Sequence, residues 1–72
     1  MVIDSQKLRG KMVEKNISAM KLSKAMGIDK STFYRKIKGG DTFEIGEVHR
    51  MCDELALSKD EAISIFLPKY SQ

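Results

Sequence analysis

The sequence predicts an all-α fold of five short helices. No stretch of the 72 residues alternates apolar and polar side chains with the period of two that is typical of a half-buried strand. Apolar residues instead recur three and four positions apart, which places their side chains on one face of an α-helix. Four of the five predicted helices also begin near a residue that can cap a helix N-terminus.

The first helix is expected to begin after Asp4 or Ser5, both of which are suitable caps, and to end at Asn16. Three apolar residues form its predicted buried strip: Leu8, Met12 and Val13. Cations flank this strip. A hydrated surface role is favoured over a phosphate contact for each of them, namely Lys7, Arg9, Lys11 and Lys15.

Two helices that meet at one glycine follow, between residues 18 and 40. In the first, Leu22 and Met26 are four residues apart and therefore share a helical face. Gly27 comes directly after them, and glycine readily adopts the left-handed conformation that ends many helices. Asp29 is a suitable N-cap for the second helix.

The second of these helices has one apolar face and one cationic, hydrogen-bonding face. Phe33 and Ile37 are four residues apart and form the apolar face. At about 100° per residue, the opposite face carries Ser31, Arg35 and Lys38, with Thr32 beside them. Two helices joined at an angle by a short turn that contains glycine form a helix-turn-helix, and such a unit places its second helix in the major groove of DNA. The predicted helix-turn-helix spans about residues 18–38.

The fourth helix is expected after a turn at residues 38–41, with Phe43 as an anchor in the core. It begins at Glu44 or Ile45. Apolar side chains recur along it at helical spacing, so that its predicted core face consists of Ile45, Val48, Cys52 and Leu55.

The fifth helix is predicted from a capping box. Ser58 and Glu61 are three residues apart, so each side chain can accept a hydrogen bond from the other residue's amide. Its predicted apolar side consists of Ala62, Ile63, Phe66 and Leu67. Ile65 is expected to lie outside this side, and Pro68 to end the helix.

Length and composition indicate a single domain over residues 1–72. A chain of 72 residues buries only about 60% of its unfolded surface, which is enough for one modest core. Cys52 is the only cysteine, so no disulfide can form within the chain. The sequence shows neither the pattern of a secretory leader nor a run of about 18 apolar residues that could span a membrane. The expected location is therefore a reducing cytoplasm, with no membrane partner.

Charge is distributed unevenly along the chain. Residues 1–40 hold ten Lys and Arg against three Asp and Glu, whereas residues 41–72 hold three against seven. A basic half attracts polyanions, and here it coincides with the predicted helix-turn-helix. Nucleic acid is therefore a better candidate ligand than an acidic small molecule.

Catalysis has little support in the sequence. His49 and Cys52 are the only residues that titrate easily near neutral pH, and they lie three positions apart on one predicted helix without a second pair. Zinc sites take four ligands, or three and a water molecule. We therefore expect no enzymatic activity, no metal and no cofactor.

Several residues of the motif stand where helix-turn-helix proteins have their packing positions: Leu22, Ser23, Gly27, Ile28 and Phe33. The chain resembles the Cro/CI-type (Xre) helix-turn-helix family, of the lambda-repressor-like fold, over about residues 8–68. Within it, GIDKSTFYRKIKGG and the LSKDEAISIFLP-like tail look most like small regulators of temperate-phage lysogeny switches. Two residues depart from the pattern: Lys36 stands at a usually apolar position, and Ala19 stands where many members have a phosphate-contacting Gln.

The resemblance implies a transcriptional regulator that binds double-stranded operator DNA in a bacterial host cell. The recognition helix would contact DNA, or a protein partner, through Lys30, Ser31, Thr32, Tyr34, Arg35 and Lys38. Arg35 is the best candidate to read a base, because its guanidinium group can donate to the two acceptors of guanine, and a phosphate contact is its alternative role. Ser18 and Lys21 are candidate phosphate contacts. A weak homodimer through helix 5, with Ile65 and Leu67, would supply the second half-site contact.

A second interpretation is protein binding. The resemblance includes modulators of repression, or antirepressors, which engage the phage repressor itself with or without DNA. An acidic surface in the second half of the chain is a candidate for this contact, and it consists of Glu44, Glu47, Asp53, Glu54, Asp60 and Glu61. The recognition helix is the alternative contact surface for the same partner.

Overall fold

The computed structural model describes residues 3–39 and 42–70. Its α-helices are Ser5–Lys15 (α1), Ala19–Met26 (α2), Lys30–Ile37 (α3), Ile45–Glu54 (α4) and Lys59–Phe66 (α5), followed by a 3-10 turn at Pro68–Tyr70. Within these two ranges there are five α-helices and no strand, which confirms the all-α prediction. None of the helices described is long and apolar enough to cross a membrane.

Both ends of the first helix and the end of the second are those that the sequence predicts. Asp4 caps α1, where its Oδ1 accepts a hydrogen bond from the Lys7 amide at 3.1 Å. Ser18 caps α2 in the same way, with Oγ 3.1 Å from the Lys21 amide nitrogen. Gly27 ends α2 in the left-handed conformation, with φ of 75°. The predicted glycine turn of the helix-turn-helix is therefore confirmed.

The last three helices also begin where predicted, although their caps differ. Asp29 is at the N-cap position of α3, but its side chain makes no capping hydrogen bond. Before α4, the Glu44 amide donates to Oε1 of Glu47 at 2.8 Å. The predicted capping box of α5 is confirmed, because the Ser58 amide donates to Glu61 at 2.8 Å and the Glu61 amide donates to Ser58 at 3.1 Å. The residues before and after the predicted turn at 38–41 are described, but Gly40 and Asp41 lie outside the described residues.

One apolar core joins the helices, and α2 lies at its centre against both α3 and α4. Its buried apolar members are Leu8, Ala19, Leu22, Met26, Phe33, Ile37, Phe43, Val48, Met51, Leu55, Ile65 and Phe66. The rings of Phe33 and Phe43 meet edge to face with their centroids 6.2 Å apart, an arrangement that aromatic pairs favour. The predicted core roles of Phe33, Ile37 and Phe43 are thus confirmed.

Two residues predicted to be buried are exposed instead. Val13 in α1 is 81% exposed, and Ile45 in α4 is 68% exposed. On α4 the buried line consists of Val48, Met51 and Leu55, and Cys52 is only half-buried at its edge. Ile45 has the right spacing for that line, but it lies in the first turn, where no element among the described residues covers its side chain.

The predicted faces of α5 are also partly wrong. Ile65 is buried and Leu67 is exposed, the reverse of the prediction. Helix α5 contacts α1, and the Ile65 carbonyl accepts a hydrogen bond from the Asp4 amide at 2.8 Å. Leu67 follows the last helical residue with φ of −133°, so it leaves the helical register that the periodicity assumes.

Charged side chains join α1 to α5 beside this contact. Lys11 donates hydrogen bonds to Glu61 and, at 3.2 Å, to Glu14. Lys7 donates to Oγ of Ser64 at 2.8 Å. The hydrogen bonds from Lys11 and from the Ser58 amide lower the pKa of Glu61 from its ordinary 4.5 to about 2. The folded protein therefore stabilises the ionised form of the Glu61 carboxylate relative to the unfolded chain.

Acid should destabilise the protein partly through Glu61. Its contribution is complete above the unfolded pKa of 4.5 and is lost progressively as the pH falls towards the folded value of about 2. We expect Glu61→Gln, which keeps a side chain suited to the capping box, to lower the melting temperature at pH 7. Between pH 5 and pH 2, the melting temperature of the variant should then fall by less than that of the unmodified protein. Parallel curves in thermal melts would contradict this.

Candidate nucleic-acid interface

The outer face of α3 is the strongest candidate for a binding surface. Phe33 and Ile37 hold α3 against the core, which leaves the opposite side towards solvent. Of the residues predicted to contact DNA, Thr32 is half-buried and the others are exposed: Lys30, Ser31, Tyr34, Arg35 and Lys38. The polar and cationic face predicted for this helix is therefore accessible to a ligand.

Four of these residues line one shallow groove, and a residue of α1 completes it. The lining consists of Ser31, Tyr34, Arg35 and Lys38 together with Arg9. We call this the basic groove. Lys30 and Thr32 do not line it. Three of its five side chains are cationic and the other two carry hydroxyl groups, a combination that suits phosphate and base edges.

Arg9 is the functional candidate that sequence reasoning placed elsewhere, since a hydrated surface role was favoured for it. Its position in the groove follows from the placement of α1 beside α3, and that placement depends on the whole core. The only signal in the sequence was its charge and its place directly after the buried Leu8. Neither signal indicates that α3 would lie nearby.

The two candidate phosphate contacts of α2, Ser18 and Lys21, lie in a second groove next to the first. Arg9 and Tyr34 line both grooves, so they form the wall between them. The second groove has an apolar lining that includes Met12, Val13 and Ile17. We call it the apolar groove. The Oγ of Ser18 accepts a hydrogen bond from the Lys21 amide, which leaves the hydroxyl proton as a donor for an anion.

Tyr34 and Phe33 have separate roles, as their adjacent positions on a helix require. Phe33 is fully buried, whereas Tyr34 is 41% exposed. The two rings meet edge to face with their centroids 6.0 Å apart. The Tyr34 ring is thus supported from the core side and exposed on the other. A side chain in this position contributes a flat apolar surface as well as a hydroxyl group.

Lys36 is the one cation of α3 that the described structure directs away from this face. Its Nζ lies 2.9 Å and 3.2 Å from the two carboxylate oxygens of Glu47, and 3.0 Å from the Thr42 carbonyl oxygen. Burial raises the pKa of Glu47, but the hydrogen bonds from the Glu44 amide and from Lys36 outweigh it, so that the pKa lies below its ordinary value. The carboxylate of Glu47 is therefore ionised at neutral pH.

The residues of the candidate acidic surface are not all available to a partner. Glu47 is paired with Lys36, and Glu61 with Lys11. Three of the others are exposed and Glu54 is half-buried; the exposed ones are Glu44, Asp53 and Asp60. Two of the six carboxylates of this candidate surface are therefore already engaged within the protein.

The two residues considered for chemistry lie apart from both grooves. His49 is exposed, while Cys52 is half-buried, and burial, followed by the nearby charge of Asp53, raises the pKa of its thiol. Among the residues that the structure describes, no group of three or more His, Cys, Asp or Glu side chains is placed to hold a metal ion.

A comparison with protein families agrees with this architecture. A family model for the Cro/C1-type HTH DNA-binding domain matches residues 7–65, which include all five α-helices except the first two residues of α1 and the last residue of α5. Searches among curated proteins and among solved structures found no similar chain. Because the family match covers most of the 72 residues, the chain belongs to the Cro/C1-type helix-turn-helix DNA-binding domain family.

Proposed function

We propose that this protein is a transcriptional regulator that binds operator DNA in the lysogeny switch of a bacteriophage. The observation that supports it most directly is the basic groove, in which Arg9 of α1 joins the outer face of α3. Charge from two separate helices along one groove suits a duplex, whose phosphates flank the base edges. The phage setting rests on the sequence resemblance described above.

In this proposal the side chains divide between bases and phosphates. Arg35 would bond the O6 and N7 atoms of a guanine, a pairing worth about 1–3 kcal/mol of discrimination. Ser31 and Thr32 would bond either a base edge or a phosphate. The remaining candidates would contact phosphates, and they are Arg9, Ser18, Lys21, Lys30 and Lys38. Tyr34 has both a hydroxyl for phosphate and a ring for a thymine methyl group.

Dimerisation would double the operator contact, because one recognition helix reads only a few base pairs. The interface expected from the sequence was Ile65 and Leu67, but Ile65 is buried in the core. Leu67 and Tyr70 remain exposed at the end of the described chain. A surface this small supports only a weak homodimer, which operator DNA would bring together.

A second candidate function is binding of the phage repressor protein. The observation in its favour is apolar surface next to the recognition helix, where the exposed Val13 and the half-exposed Tyr34 line the same groove. Exposed apolar side chains of this kind suit a protein partner better than phosphate. In this case the apolar groove, together with α3, would form the contact.

Fluorescence anisotropy at two salt concentrations tests both candidates. The probe is a duplex that carries the promoter region beside the protein's own gene, and the control is the same duplex with a scrambled sequence. We expect the promoter duplex to bind about 10³-fold more tightly than the scrambled one, and both to bind more weakly at high salt. Equal binding of the two duplexes would contradict operator recognition. A complex with the purified repressor from the adjacent gene, formed without DNA, would favour the second candidate.

A further inference from the structure

Helix α4 contacts both helices of the helix-turn-helix through two polar side chains. Glu47 pairs with Lys36 of α3, and Arg50 donates a hydrogen bond from Nη1 to the Met26 carbonyl oxygen of α2 at 3.1 Å. Glu47 and Arg50 are three residues apart, so they lie on the same side of α4. One side of α4 therefore contacts the recognition helix and the helix before it.

The contact with α3 is a largely buried ion pair. The side chains of Lys36 and Glu47 are each only 12% exposed. The three N–H groups of the Lys36 ammonium are matched by three acceptors, the two Glu47 oxygens and the Thr42 carbonyl. The ammonium also lies 5.9 Å from the centroid of the Phe43 ring. Lys36 is thus held in place by its neighbours and has no donor left for a phosphate group.

The contact with α2 is at the end of that helix. Met26 is the last residue of α2, where carbonyl groups lack partners within the helix. A cation at a helix C-terminus is favoured by the helix dipole. Arg50 therefore stabilises the end of α2 directly before Gly27, the point from which the direction of α3 is set.

The core alone specifies the orientation of α3 poorly. Its eight residues bury only Phe33 and Ile37, and its N-cap makes no side-chain hydrogen bond. Apolar contacts are non-directional, so a helix seated on two of them can tilt with little loss of burial. Hydrogen bonds, in contrast, weaken steeply when their angles change. The polar contacts from α4 therefore add directional restraints to those of the turn before α3, where the Ile28 amide donates to the Ser23 carbonyl oxygen at 3.0 Å.

We propose that Lys36, Glu47 and Arg50 are positioning residues that hold the recognition helix at the angle needed to read DNA. The inference rests on the proposed DNA-binding function and adds to it three residues that do not contact DNA themselves. Bidentate base contacts require atoms placed to a few tenths of an ångström, whereas attraction to phosphates tolerates a tilt. The pair therefore acts on sequence-specific binding more than on non-specific binding.

The alternative role for Lys36 is a direct phosphate contact, and it predicts the opposite sign for one substitution. If Lys36 binds phosphate, Glu47 competes with DNA for it, and Glu47→Gln should tighten binding. If the pair positions α3, the same substitution removes the ion pair, leaves at most a hydrogen bond from Lys36 to a neutral acceptor, and should weaken specific binding. Gln at this position can still accept the Glu44 amide, so the start of α4 is preserved.

The experiment compares Glu47→Gln with Asp53→Asn, which removes an exposed carboxylate from the same helix. Binding to the promoter duplex and to the scrambled duplex is measured by anisotropy, at a temperature where both variants are shown to be folded. We expect Glu47→Gln to weaken promoter binding about fivefold, with scrambled binding and its salt dependence unchanged. Asp53→Asn should leave the ratio of the two affinities unchanged. Lys36→Met should lower that ratio as Glu47→Gln does.

Amide hydrogen exchange tests the same inference without DNA, so its result does not depend on the proposed function. The Lys38 amide, bonded to the Tyr34 carbonyl, reports on the end of α3, and the Leu8 amide reports on α1. We expect Glu47→Gln to speed exchange at Lys38 about fivefold and to leave Leu8 unchanged. Equal changes at the two amides, or no change at either, would overturn the inference. Failure of the unmodified protein to distinguish the two duplexes would instead contradict operator binding.

Discussion

Phe33→Ala should leave the protein largely unfolded at 25 °C. Phe33 is fully buried where α3 meets the core, and its ring contacts Phe43 and Tyr34 edge to face. Truncation of a buried Phe to Ala costs about 3–5 kcal/mol, because apolar burial is lost and a cavity remains. The total stability of a small domain is about 5 kcal/mol at the low end of the usual range. Circular dichroism and thermal melts would measure the loss.

Arg35→Ala is the matched control for this prediction. It truncates a long side chain only two positions away on the same helix, but on the exposed side. Surface substitutions usually change stability by about 0.5 kcal/mol or less, so the variant should melt close to the unmodified protein. If both variants lost the same stability, the inner and outer faces of α3 would be wrongly assigned.

Simultaneous substitution of Lys30, Arg35 and Lys38 by alanine should have the largest effect on DNA binding. Each phosphate contact contributes about 0.9 to the slope of log affinity against log salt concentration, so removal of three should flatten the slope by about 2.7 if all three bind phosphate. If Arg35 reads a base instead, the change should be nearer 1.8, together with a loss of sequence preference. Anisotropy titrations over a series of salt concentrations would give both quantities.

The control for this variant also removes three positive charges, but from lysines outside the two grooves. Lys24, Lys59 and Lys69 are exposed, and they line neither the basic groove nor the apolar groove. Their triple alanine variant should bind the promoter duplex with nearly the original salt dependence. Equal losses in the two triple variants would mean that general positive charge, and not the outer face of α3, attracts DNA.

The helix boundaries were predictable from the sequence because they depend on residues within one helical turn. Asp4 and Ser58 each accept an amide three positions ahead, so the capping residue and its partner are read from the same short stretch. Gly27 likewise ends α2 because of its own backbone freedom. None of these features depends on what the rest of the chain does.

Which apolar residues are covered was less predictable. Val13 and Ile45 have helical spacing to buried residues, yet both are exposed, and Ile65 is buried although its spacing predicts a place off the apolar side. Periodicity indicates the direction in which a side chain points from its helix. Whether another helix lies in that direction depends on how all five pack, and that is a property of the tertiary structure.

The same distinction applies to the candidate site. The outer residues of α3 share a face because of their spacing along one helix, so the sequence by itself was enough to group them. Arg9 joins them only because the fold brings it to the groove that the outer face of α3 lines. Lys36 pairs with Glu47, which lies eleven residues further along the chain in α4. Local spacing determined the helices and the outward face of α3, whereas only packing between distant residues decided which charges complete that face and which hold it in place.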